Sequence, residues 1–534
     1  MKTKRLISML LVLIMTLGLI TGCGKDVEDL PEGTVKLTVG IPQKANVTDY
    51  DNNAFTQYLE EAANVEIEFK YFSSDANEYK KQLALMCGAN ETLPDVILGF
   101  SFSHYIVNQY GEDGYFIDLT NYIEEYAPNY KKMLEELDEE TRDYITVKGK
   151  NTNDGAYYGM PRVSCAAVDN LQSMTYINQN WLTTLGLPIP KTIDELKTTL
   201  QAFKTQDPNG NGVADEIPMI GRAGIINYLI NGYVLYDQNN FNVTDGKVWD
   251  PVQTDEFRQA LITANQLVKQ GLYDKMSFSI SSTSEYKALI SPTDGPSKVG
   301  IFVGHHETMT NANTNALDEF VALPSLSDET GKGGYTVITP PGVTWAAYIT
   351  KDCEYPAAAM KFLDTWYLDE TMTRQRHGEK DVDWVYEENK NAYGTKSYAK
   401  AVNSEAFFSG NSTWCLNVLG IMTHWNYLLT ETKGEGRIAQ ASRLQTEQWE
   451  IYQDGKKPKE EAVNLIYTTE EYEIREDKAS TVNSFITTET NNFVTGEKNP
   501  ANDAEWNEFL STLKQIGRKE LKDVCQSAYD RQSK

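Results

Sequence analysis

The loop from Asp207 to Glu216 has the most definite chemistry in the chain, because it places oxygen-bearing side chains at alternate positions around Gly212. Calcium takes about six to eight hard oxygen ligands, and a loop supplies them by curling tightly around the ion. The spacing therefore predicts a structural Ca²⁺ site with the ligands Asp207, Asn209, Asn211, Val213, Asp215 and Glu216.

This loop departs from the EF-hand pattern at the final ligand position, which is Pro218 and therefore carries no carboxylate. Glu216 is the nearest substitute for the missing bidentate ligand. The alternative is a metal-free turn, since Asn, Gly and Asp form tight turns by themselves. We expect a structural role for the ion, because a catalytic ion would need an open coordination position beside acid–base groups.

Cys23 is the second residue with a defined chemistry. It follows a basic segment, Met1–Arg5, an apolar run, Leu6–Ile20, and the small residues Thr21 and Gly22. This layout is typical of a bacterial secretory signal. The cysteine at its end resembles the lipobox of bacterial lipoproteins, in which that residue is acylated and becomes the mature amino terminus. The apolar run is about 15 residues long, shorter than the roughly 20 that span a bilayer.

We therefore predict a lipoprotein signal peptide at 1–22, lipidation of Cys23 and an acidic tether at 23–33. The mature chain would be held by its lipid on the outer face of the cytoplasmic membrane, at the bacterial cell surface. The alternatives are an ordinary signal peptide, or one membrane helix in which the cysteine has no role.

The overall charge argues against several kinds of partner. The chain has 49 basic and 76 acidic residues and a net charge of −27, which would repel nucleic acid and an anionic membrane surface. The cysteines after Cys23 lack the spacing of a zinc site or a disulfide framework. The 31 Tyr and 9 Trp residues suit stacking on sugar rings. We expect a monomer whose only membrane contact is the lipid.

Strand and helix patterns alternate in the first part of the chain. Alternating apolar residues predict strands at Val35–Val39 and Val65–Tyr71, and a short apolar run predicts a buried strand at Leu93–Leu98. Helical spacing predicts helices at Phe55–Ala63 and Glu78–Gly88, the second ended by glycine. This order favours βαβ units and a mostly parallel sheet.

The same alternation restarts after Tyr157. A strand is predicted near Ser173–Ile177, and a helix at Thr192–Phe203 begins with a capping box formed by Thr192 and Glu195. Further elements are predicted at Val299–Val303, Ala357–Tyr367, Arg437–Tyr452 and Glu505–Gly517. The patterns indicate two α/β lobes with helical additions.

Several segments, in order along the chain, resemble the large oligosaccharide-binding lipoproteins of ABC importers. These are extracellular solute-binding proteins of the family 1 type, and the alginate-oligosaccharide-binding members, which the chain resembles, carry a calcium loop like the one at 207–216. The clearest match is Tyr176–Leu196 followed by the loop at 207–218. The other matching segments are Leu93–Ile97, Gly114–Leu119, Tyr158–Arg162, Lys298–Phe302, His377–Trp384 and Ala528–Arg531.

The resemblance implies an α/β, two-lobe periplasmic-binding-protein-like fold (type II-like) with hinge crossings and extra C-terminal helices. A solute would lie in the cleft between the lobes, and hinge closure would trap it. The implied N-terminal lobe comprises residues 34–158 and 345–395, and the C-terminal lobe comprises residues 159–344 and 396–534. The chain would cross between the lobes near Tyr158–Pro161, Trp345 and His377–Trp384.

A sugar site combines an aromatic ring on the sugar face with polar side chains on its rim, because unpaired buried polar groups are costly. Asp95 and the segment Phe100–His104 are expected at the carboxyl end of a strand, where open α/β sheets place ligands. Each tryptophan near a crossing could equally lie in the core. The candidate ligand-binding residues are Asp95, Arg162, His305, Trp345, Trp384 and Trp414.

The implied function is that of a lipid-anchored receptor that binds an oligosaccharide and delivers it to the permease subunits of an ABC importer, without catalysis. One alternative is a carbohydrate-active hydrolase or lyase, since the acidic residues leave a catalytic carboxylate pair open. The other is the ligand-binding subunit of a membrane sensor kinase. The sequence contains no phosphate-binding glycine loop, nucleophile elbow or His-Glu-x-x-His motif.

Overall fold

The computed structural model describes most of the chain between residues 32 and 532. The described residues are 32–45, 47–147, 149–151, 153–164, 174–221, 223–237, 241–280, 282–292, 295–304, 316–337, 342–390, 396–402, 411, 413–414, 420–421, 443–444, 447–451, 454–462 and 465–532. Cys23, His305 and most of the predicted helix Arg437–Tyr452 lie outside them.

Two main sheets and two hairpins contain the described strands. The strands are β1 Val35–Pro42, β2 Val65–Phe72, β3 Val96–Phe102, β4 Met160–Ser164, β5 Thr175–Asn178, β6 Ile217–Ile220, β7 Asn242–Thr244, β8 Lys247–Trp249, β9 Val299–Val303, β10 Phe320–Ala322, β11 Gly342–Ile349, β12 Trp384–Lys390, β13 Lys396–Ala401 and β14 Gly420–Ile421.

The described α-helices cover the faces of these sheets and extend the second lobe. They are α1 Ala54–Ala63, α2 Ala76–Gly88, α3 His104–Glu112, α4 Thr120–Tyr126, α5 Pro128–Glu136, α6 Glu139–Thr146, α7 Gln179–Leu185, α8 Ile193–Thr205, α9 Ala223–Asn231, α10 Asp255–Lys269, α11 Thr283–Ile290, α12 Pro356–Thr365, α13 Asp369–His377, α14 Thr469–Thr495, α15 Asp503–Gln515 and α16 Arg518–Gln532. The capping box predicted at the start of α8 is present.

The first lobe is organised around a six-stranded sheet of order β14-β4-β11-β3-β1-β2. Strand β1 is parallel to β2 and β3, as the βαβ pattern predicts, whereas β11 is antiparallel to both β3 and β4. The second lobe contains a four-stranded sheet of order β10-β5-β9-β6. Two separate α/β layers with additional carboxy-terminal helices confirm the predicted fold class.

Each lobe has its own apolar core. In the first lobe, Leu37, Val39 and Ile41 of β1 are fully buried against helices on the sheet face. In the second lobe, Ile486 and Phe493 of α14 join the core formed around α10. The carboxy-terminal helices therefore belong to the second lobe.

The boundary expected at residue 158 differs from the observed strand pairing. Strand β4 pairs with β11 in the six-stranded sheet, and Met160 and Val163 are fully buried in the first-lobe core. Because β4 completes that sheet, the chain remains in the first lobe through Ser164. For the same reason, Gly342–Thr344 and β14 lie in the first-lobe sheet and not in the second lobe, where the sequence placed them.

A buried ion pair fastens α16 to the second lobe. The Arg518 guanidinium donates from Nε and Nη2 to the two carboxylate oxygens of Asp250, at 2.9 and 2.8 Å. The two side chains are 1% and 4% exposed. The guanidinium also lies 4.0 Å from the ring centroid of Phe241. Two charges held out of water in this way depend on each other, because removal of one leaves the other uncompensated.

We predict that Arg518→Met lowers the free energy of unfolding by about 3–5 kcal/mol, because Asp250 would remain buried without its partner. Urea unfolding followed by circular dichroism measures the change. Lys36→Met is the matched control, since the Lys36–Glu68 pair is more than half exposed and should leave the unfolding midpoint nearly unchanged. Equal urea-unfolding midpoints for Arg518→Met and Lys36→Met would contradict a stabilising role for the buried Arg518–Asp250 ion pair.

Candidate functional site: a cavity between the lobes

A cavity of about 960 Å³ lies between the two lobes at the carboxyl end of β3. Its first-lobe wall comes from the end of β3, from α3 and from the start of β11. Its second-lobe wall comes from the first turns of α14 and from Arg531 of α16. The lining side chains used below are Ser103, His104, Tyr105, Glu112, Tyr144, Asn153, Trp345, Tyr467, Glu470, Tyr472, Arg475, Glu476 and Arg531.

Aromatic rings form much of the cavity wall. The Trp345 ring is 5.1 Å from the His104 ring and 6.0 Å from the Tyr144 ring, between centroids. Trp345 itself is only 3% exposed, so little of its surface is accessible from the cavity. Tyr105 of the first lobe stacks on Tyr472 of the second, with ring centroids 4.3 Å apart and planes at 19°.

Polar groups alternate with these rings, and several are fixed by their neighbours. Glu112 Oε1 accepts hydrogen bonds from the amides of Asn151 and Asn153, at 2.8 and 2.6 Å. Arg475 lies over the ring of Tyr467 at 4.2 Å and donates to its hydroxyl at 3.0 Å. These arrangements hold polar side chains in defined positions around the cavity.

The buried position of His104 favours the neutral form of its imidazole. Burial lowers the pKa of its imidazole, while hydrogen bonds to backbone atoms of Gly149 and Lys150 act in the opposite direction. A neutral imidazole is both a donor and an acceptor of hydrogen bonds. His104 therefore suits recognition of hydroxyl groups better than pairing with an anion.

The sequence-predicted ligand residues are distributed unevenly around this cavity. Trp345 lines it, and the predicted segment Phe100–His104 contributes its last four residues. Arg162 lies on β4 in register with Thr344, which lines the cavity from β11. The structure therefore brings Trp345 and the end of β3 together.

Asp95 occupies the opposite end of its strand from the expected one. Strand β3 begins at Val96, so Asp95 precedes it, and its carboxylate accepts a hydrogen bond from the Thr38 backbone at 2.7 Å. The predicted strand, Leu93–Leu98, began too early, because the apolar residues Leu93 and Pro94 precede the first residue of β3 that pairs with β1. Asp95 ties β1 to β3 and lies away from the cavity wall.

Two of the tryptophans are core residues. Trp384 is fully buried and donates from Nε1 to the Gly378 carbonyl at 3.0 Å. Trp414 is fully buried, contacts Phe55 and Phe69 with centroids 5.4 and 5.3 Å apart, and donates to Thr56 at 2.7 Å. Because these rings are enclosed on all sides, neither offers a face to a ligand in this structure.

Most of the second-lobe wall is not predicted by the sequence patterns. Tyr472, Arg475 and Arg531 lie in polar helices with no periodic motif that would set them apart from other surface residues. Only the resemblance of Ala528–Arg531 to the family marked this region. Tyr105 and Tyr144 of the first lobe were missed for the same reason.

The Asp207–Glu216 loop forms a second polar site on the second lobe. The backbone N–H groups of Asn211 and Gly212 donate to the Asp207 carboxylate at 3.2 and 3.0 Å. The amides of Asn209 and Asn211 both donate to Asp215 Oδ1, at 3.2 and 2.9 Å. The loop is therefore curled around its own oxygen atoms, as the glycine spacing predicts.

The carboxylates of this loop experience opposite environments. The Lys298 ammonium, 2.7 Å from Asp215 Oδ2, and the amides of Asn211 and Asn209 hold the pKa of Asp215 at about 2. Burial, followed by the charges of Asp207 and Asp215, raises the pKa of Glu216. Glu216 Oε1 is buried and accepts no hydrogen bond.

The side chains and the carbonyl of this loop supply the kind of oxygen ligands that bind calcium. Three carboxylates, two amide oxygens and a carbonyl are hard oxygen donors, and the buried oxygen of Glu216 lacks a partner. Within the described part of the chain, no three acidic, His or Cys side chains are gathered closely enough to hold an ion in the present arrangement. Lys298 instead neutralises Asp215.

A cavity walled by two α/β lobes, with aromatic and polar side chains facing each other across it, defines a solute-binding protein. The sequence model of the family described as "Bacterial extracellular solute-binding protein" matches residues 44–373. This match covers more than half of the chain, and the chain belongs to that family. Among the described helices, none has the length and apolar character needed to cross a membrane.

Relatives with assigned roles are binding proteins. The chain is 32% identical over 241 residues to the fructooligosaccharide ABC transporter substrate-binding protein FusA of Streptococcus pneumoniae, covering 43% of each chain. It is 24% identical over 278 residues to the polygalacturonan/rhamnogalacturonan-binding protein YtcQ of Bacillus subtilis, covering 52% of this chain and 51% of that one. The matches thus span about half the length of these relatives.

Solved structures agree with the fold over almost the whole chain. FusA in complex with kestose has a TM-score of 0.74 at 22% identity, covering 93% of this chain and 99% of that one. The same values for TM-score and coverage hold for a FusA EF-hand mutant with fructo-nystose, at 21% identity. The alginate-binding protein AlgQ2 without calcium ion has a TM-score of 0.65 at 19% identity, covering 94% and 99%.

We predict that Trp414→Ala lowers the free energy of unfolding by about 3–5 kcal/mol, because the ring is fully buried in the first-lobe core. Denaturant titration measures the loss. Tyr355→Ala, which removes a 37% exposed ring, is the control and should leave stability nearly unchanged. A loss below about 1 kcal/mol for Trp414→Ala would contradict the core assignment.

Proposed function

We propose that the chain is a lipid-anchored receptor that binds an oligosaccharide between its lobes and delivers it to the permease subunits of an ABC importer. The interlobe cavity carries the proposal, because its walls alternate aromatic rings with positioned hydrogen-bonding groups. Membership of the solute-binding family supports the transport role. The names of FusA and YtcQ support a saccharide as the solute.

The chemistry of the cavity fits a sugar. Rings such as Tyr105 and Tyr144 offer flat apolar faces, which match the C–H-rich face of a pyranose or furanose ring. Neutral His104 and the amide of Asn153 offer donors and acceptors at the rim. The receptor acts by binding and closure, and the residues of the cavity serve recognition and not bond cleavage.

The proposal of a lipid anchor depends on the sequence of residues 1–23. Acylation of Cys23 would keep the receptor beside its membrane partner, and the acidic tether would let the lobes reach it. A tether of this kind raises the effective concentration of one partner near the other. The receptor acts as a monomer, with the lipid as its membrane contact.

We predict that the chain from Lys25 onward binds at least one member of a panel of kestose, oligogalacturonate and alginate oligomers, measured by isothermal titration calorimetry. The bound saccharide should be recovered unchanged by mass spectrometry. Tyr144→Ala should weaken binding about threefold to tenfold, the ratio expected for losing one aromatic contact. Tyr355→Ala, outside the cavity, is the matched control.

Four outcomes would overturn the proposal. If none of the oligosaccharides in the panel binds, the proposed class of solute is wrong. If the saccharide is recovered as cleaved products, the chain acts as an enzyme. Uptake that survives deletion of the neighbouring permease genes would favour the sensor-kinase alternative. Equal weakening by Tyr144→Ala and Tyr355→Ala would show that the cavity is not the binding site.

We further propose that the Asp207–Glu216 loop binds a structural calcium ion. The ligands would be Asp207, Asn209, Asn211, the Val213 carbonyl, Asp215 and Glu216. Binding would release Lys298 from Asp215 and give the buried oxygen of Glu216 a partner. The reference to an EF-hand in the FusA structure supports the proposal.

For this site we expect that EDTA lowers the thermal midpoint of the calcium-loaded chain, because a ligand that binds only the folded state stabilises it. Asp207→Asn should abolish the difference, since it removes one carboxylate while keeping a residue that tolerates the positive φ of 46°. Asp245→Asn, at a comparable φ of 50° in another turn, is the control. A thermal unfolding midpoint that does not change on addition of EDTA would show that the loop binds no structural calcium ion.

A further inference from the structure

The charged side chains that line the interlobe cavity are mostly acidic. In the described lining, the acidic members are Glu112, Asp113, Glu470 and Glu476, and the basic members are Arg475 and Arg531. The four acidic residues are exposed, and exposed carboxylates are ionised near pH 7. Glu112 ends α3 in the first lobe, whereas Glu470 and Glu476 lie near the start of α14 in the second. A solute in the cavity therefore has carboxylates on both sides.

The arginines offset only part of this negative charge. The Arg531 guanidinium donates to both carboxylate oxygens of Glu471, at 2.6 and 2.5 Å, and to the Ile466 carbonyl at 3.0 Å. Its charge is thus matched by a carboxylate outside the described cavity lining. Arg475 lies on the ring of Tyr467 and donates to its hydroxyl. With Arg531 matched in this way, the four lining carboxylates are opposed by one guanidinium.

The two stacked tyrosines of the cavity experience the same carboxylates. Burial raises the pKa of the Tyr105 hydroxyl, and the charges of Glu473 and Glu112 raise it further. Burial also raises the pKa of Tyr472, and Glu476 adds to the increase although a hydrogen bond from the hydroxyl acts in the opposite direction. Because nearby negative charge disfavours a phenolate, both rings indicate that an anion is disfavoured where the two walls meet.

Two helix amino termini act against the carboxylates, but their effect is smaller. The first turns of α3 and α14 line the cavity, and a helix amino terminus carries about half a positive charge. Their backbone N–H groups are partly satisfied within the chain, by the side chain of Ser103 in α3 and by that of Thr468 in α14. Since four full negative charges exceed two partial positive ones, the potential in the cavity is negative.

We propose that the interlobe cavity selects uncharged oligosaccharides and excludes those built from uronic acids. A saccharide with a carboxylate on every ring would bring its charges against the carboxylates of both walls, and juxtaposed like charges oppose association. An uncharged saccharide avoids this repulsion, and its hydroxyls can donate to the same carboxylates. This choice of solute class rests on the proposed receptor function, and it separates the fructooligosaccharide named for FusA from the polygalacturonan named for YtcQ.

The charge of the cavity can be measured without a solute. In the full-length chain, Gln109→Cys places a thiol at an exposed lining position of α3, and Thr184→Cys places one on α7, whose residues Gln179–Leu185 carry no charge. Each thiol is labelled with an anionic sulfonatoethyl or a cationic trimethylammonioethyl methanethiosulfonate, and mass spectrometry of the labelled peptide gives the rate. The ratio of the cationic to the anionic rate cancels the reactivity of the thiol itself.

We expect this rate ratio at position 109 to exceed the ratio at position 184 about fivefold to tenfold at low ionic strength, because a negative potential attracts the cationic reagent. The two ratios should converge at about 1 M salt, where charges are screened within a few ångströms. Equal ratios at the two positions at low ionic strength would overturn the proposal.

Substitutions on the opposite lobe test whether both walls contribute. Glu470→Gln combined with Glu476→Gln removes two charges from α14 and should lower the rate ratio at position 109 about twofold to fourfold. Asp255→Asn combined with Glu256→Gln is the matched control, since it removes two charges from the first turn of α10, outside the described lining. Equal effects of the two double substitutions would overturn the proposal, because the α14 carboxylates would then have no special influence on the cavity.

The selection itself is tested by adding the methyl ester of oligogalacturonate to the saccharide panel, at one free Ca²⁺ concentration. The ester has the rings and linkages of oligogalacturonate without its charge. Isothermal titration calorimetry at low ionic strength should find the tightest ligand among the uncharged saccharides, at least about tenfold tighter than oligogalacturonate or alginate oligomers. Glu470→Gln with Glu476→Gln should reduce that difference.

A uronate as the tightest ligand would overturn the selection and leave the receptor proposal intact. A panel in which no saccharide binds would instead overturn the receptor proposal, and the selection with it. The two failures are therefore distinguishable in the same titrations.

Discussion

Strand β11 is the constraint on which the two-lobe arrangement depends. It lies between β3 and β4 in the first-lobe sheet, antiparallel to both, although it follows the second-lobe strands in the sequence. The chain must therefore leave the first lobe after β4 and return to its centre at β11. The register shifts between Trp345 and Ala347, at the point where the strand passes from the cavity wall into the sheet interior. Because β11 pairs with a neighbouring strand along each of its edges, the part of β11 that lines the cavity is held in a fixed position.

Both arginines of the second-lobe wall contact partners within the protein. Arg531 is paired with Glu471, and Arg475 lies on Tyr467. Buried or half-buried charges are retained where a partner compensates for lost hydration. The same rule explains Arg518 and Asp250, which fasten α16, whereas the pair of Lys298 and Asp215 on the polar loop is partly exposed to solvent. Ion pairs thus connect the carboxy-terminal helices to the body of the second lobe.

Local patterns in the sequence were sufficient for much of the fold. The periodicities of β1, α1, β2 and α2 and the capping box of α8 depend on neighbouring residues, so they can be read directly from the chain. The start of β3 was placed too early, because an apolar run does not mark where pairing with β1 begins. The sequence also could not show which tryptophans lie in the core, since burial of Trp384 and Trp414 depends on residues distant in sequence. The aromatic and polar walls of the cavity require the same long-range information, and only Trp345 and the end of β3 were anticipated there.

The contact between Arg531 and Glu471 has a consequence for the order in which the cleft can assemble. The two residues are 60 positions apart, and the first-lobe wall that Tyr472 meets lies far earlier in the chain. A chain that becomes available from its amino terminus exposes the first-lobe wall early, while the opposing wall can be fixed only after α16 has appeared. The wall of the cleft that α14 and α16 supply is therefore the last part of the cavity to be completed as the chain is made available from its amino terminus.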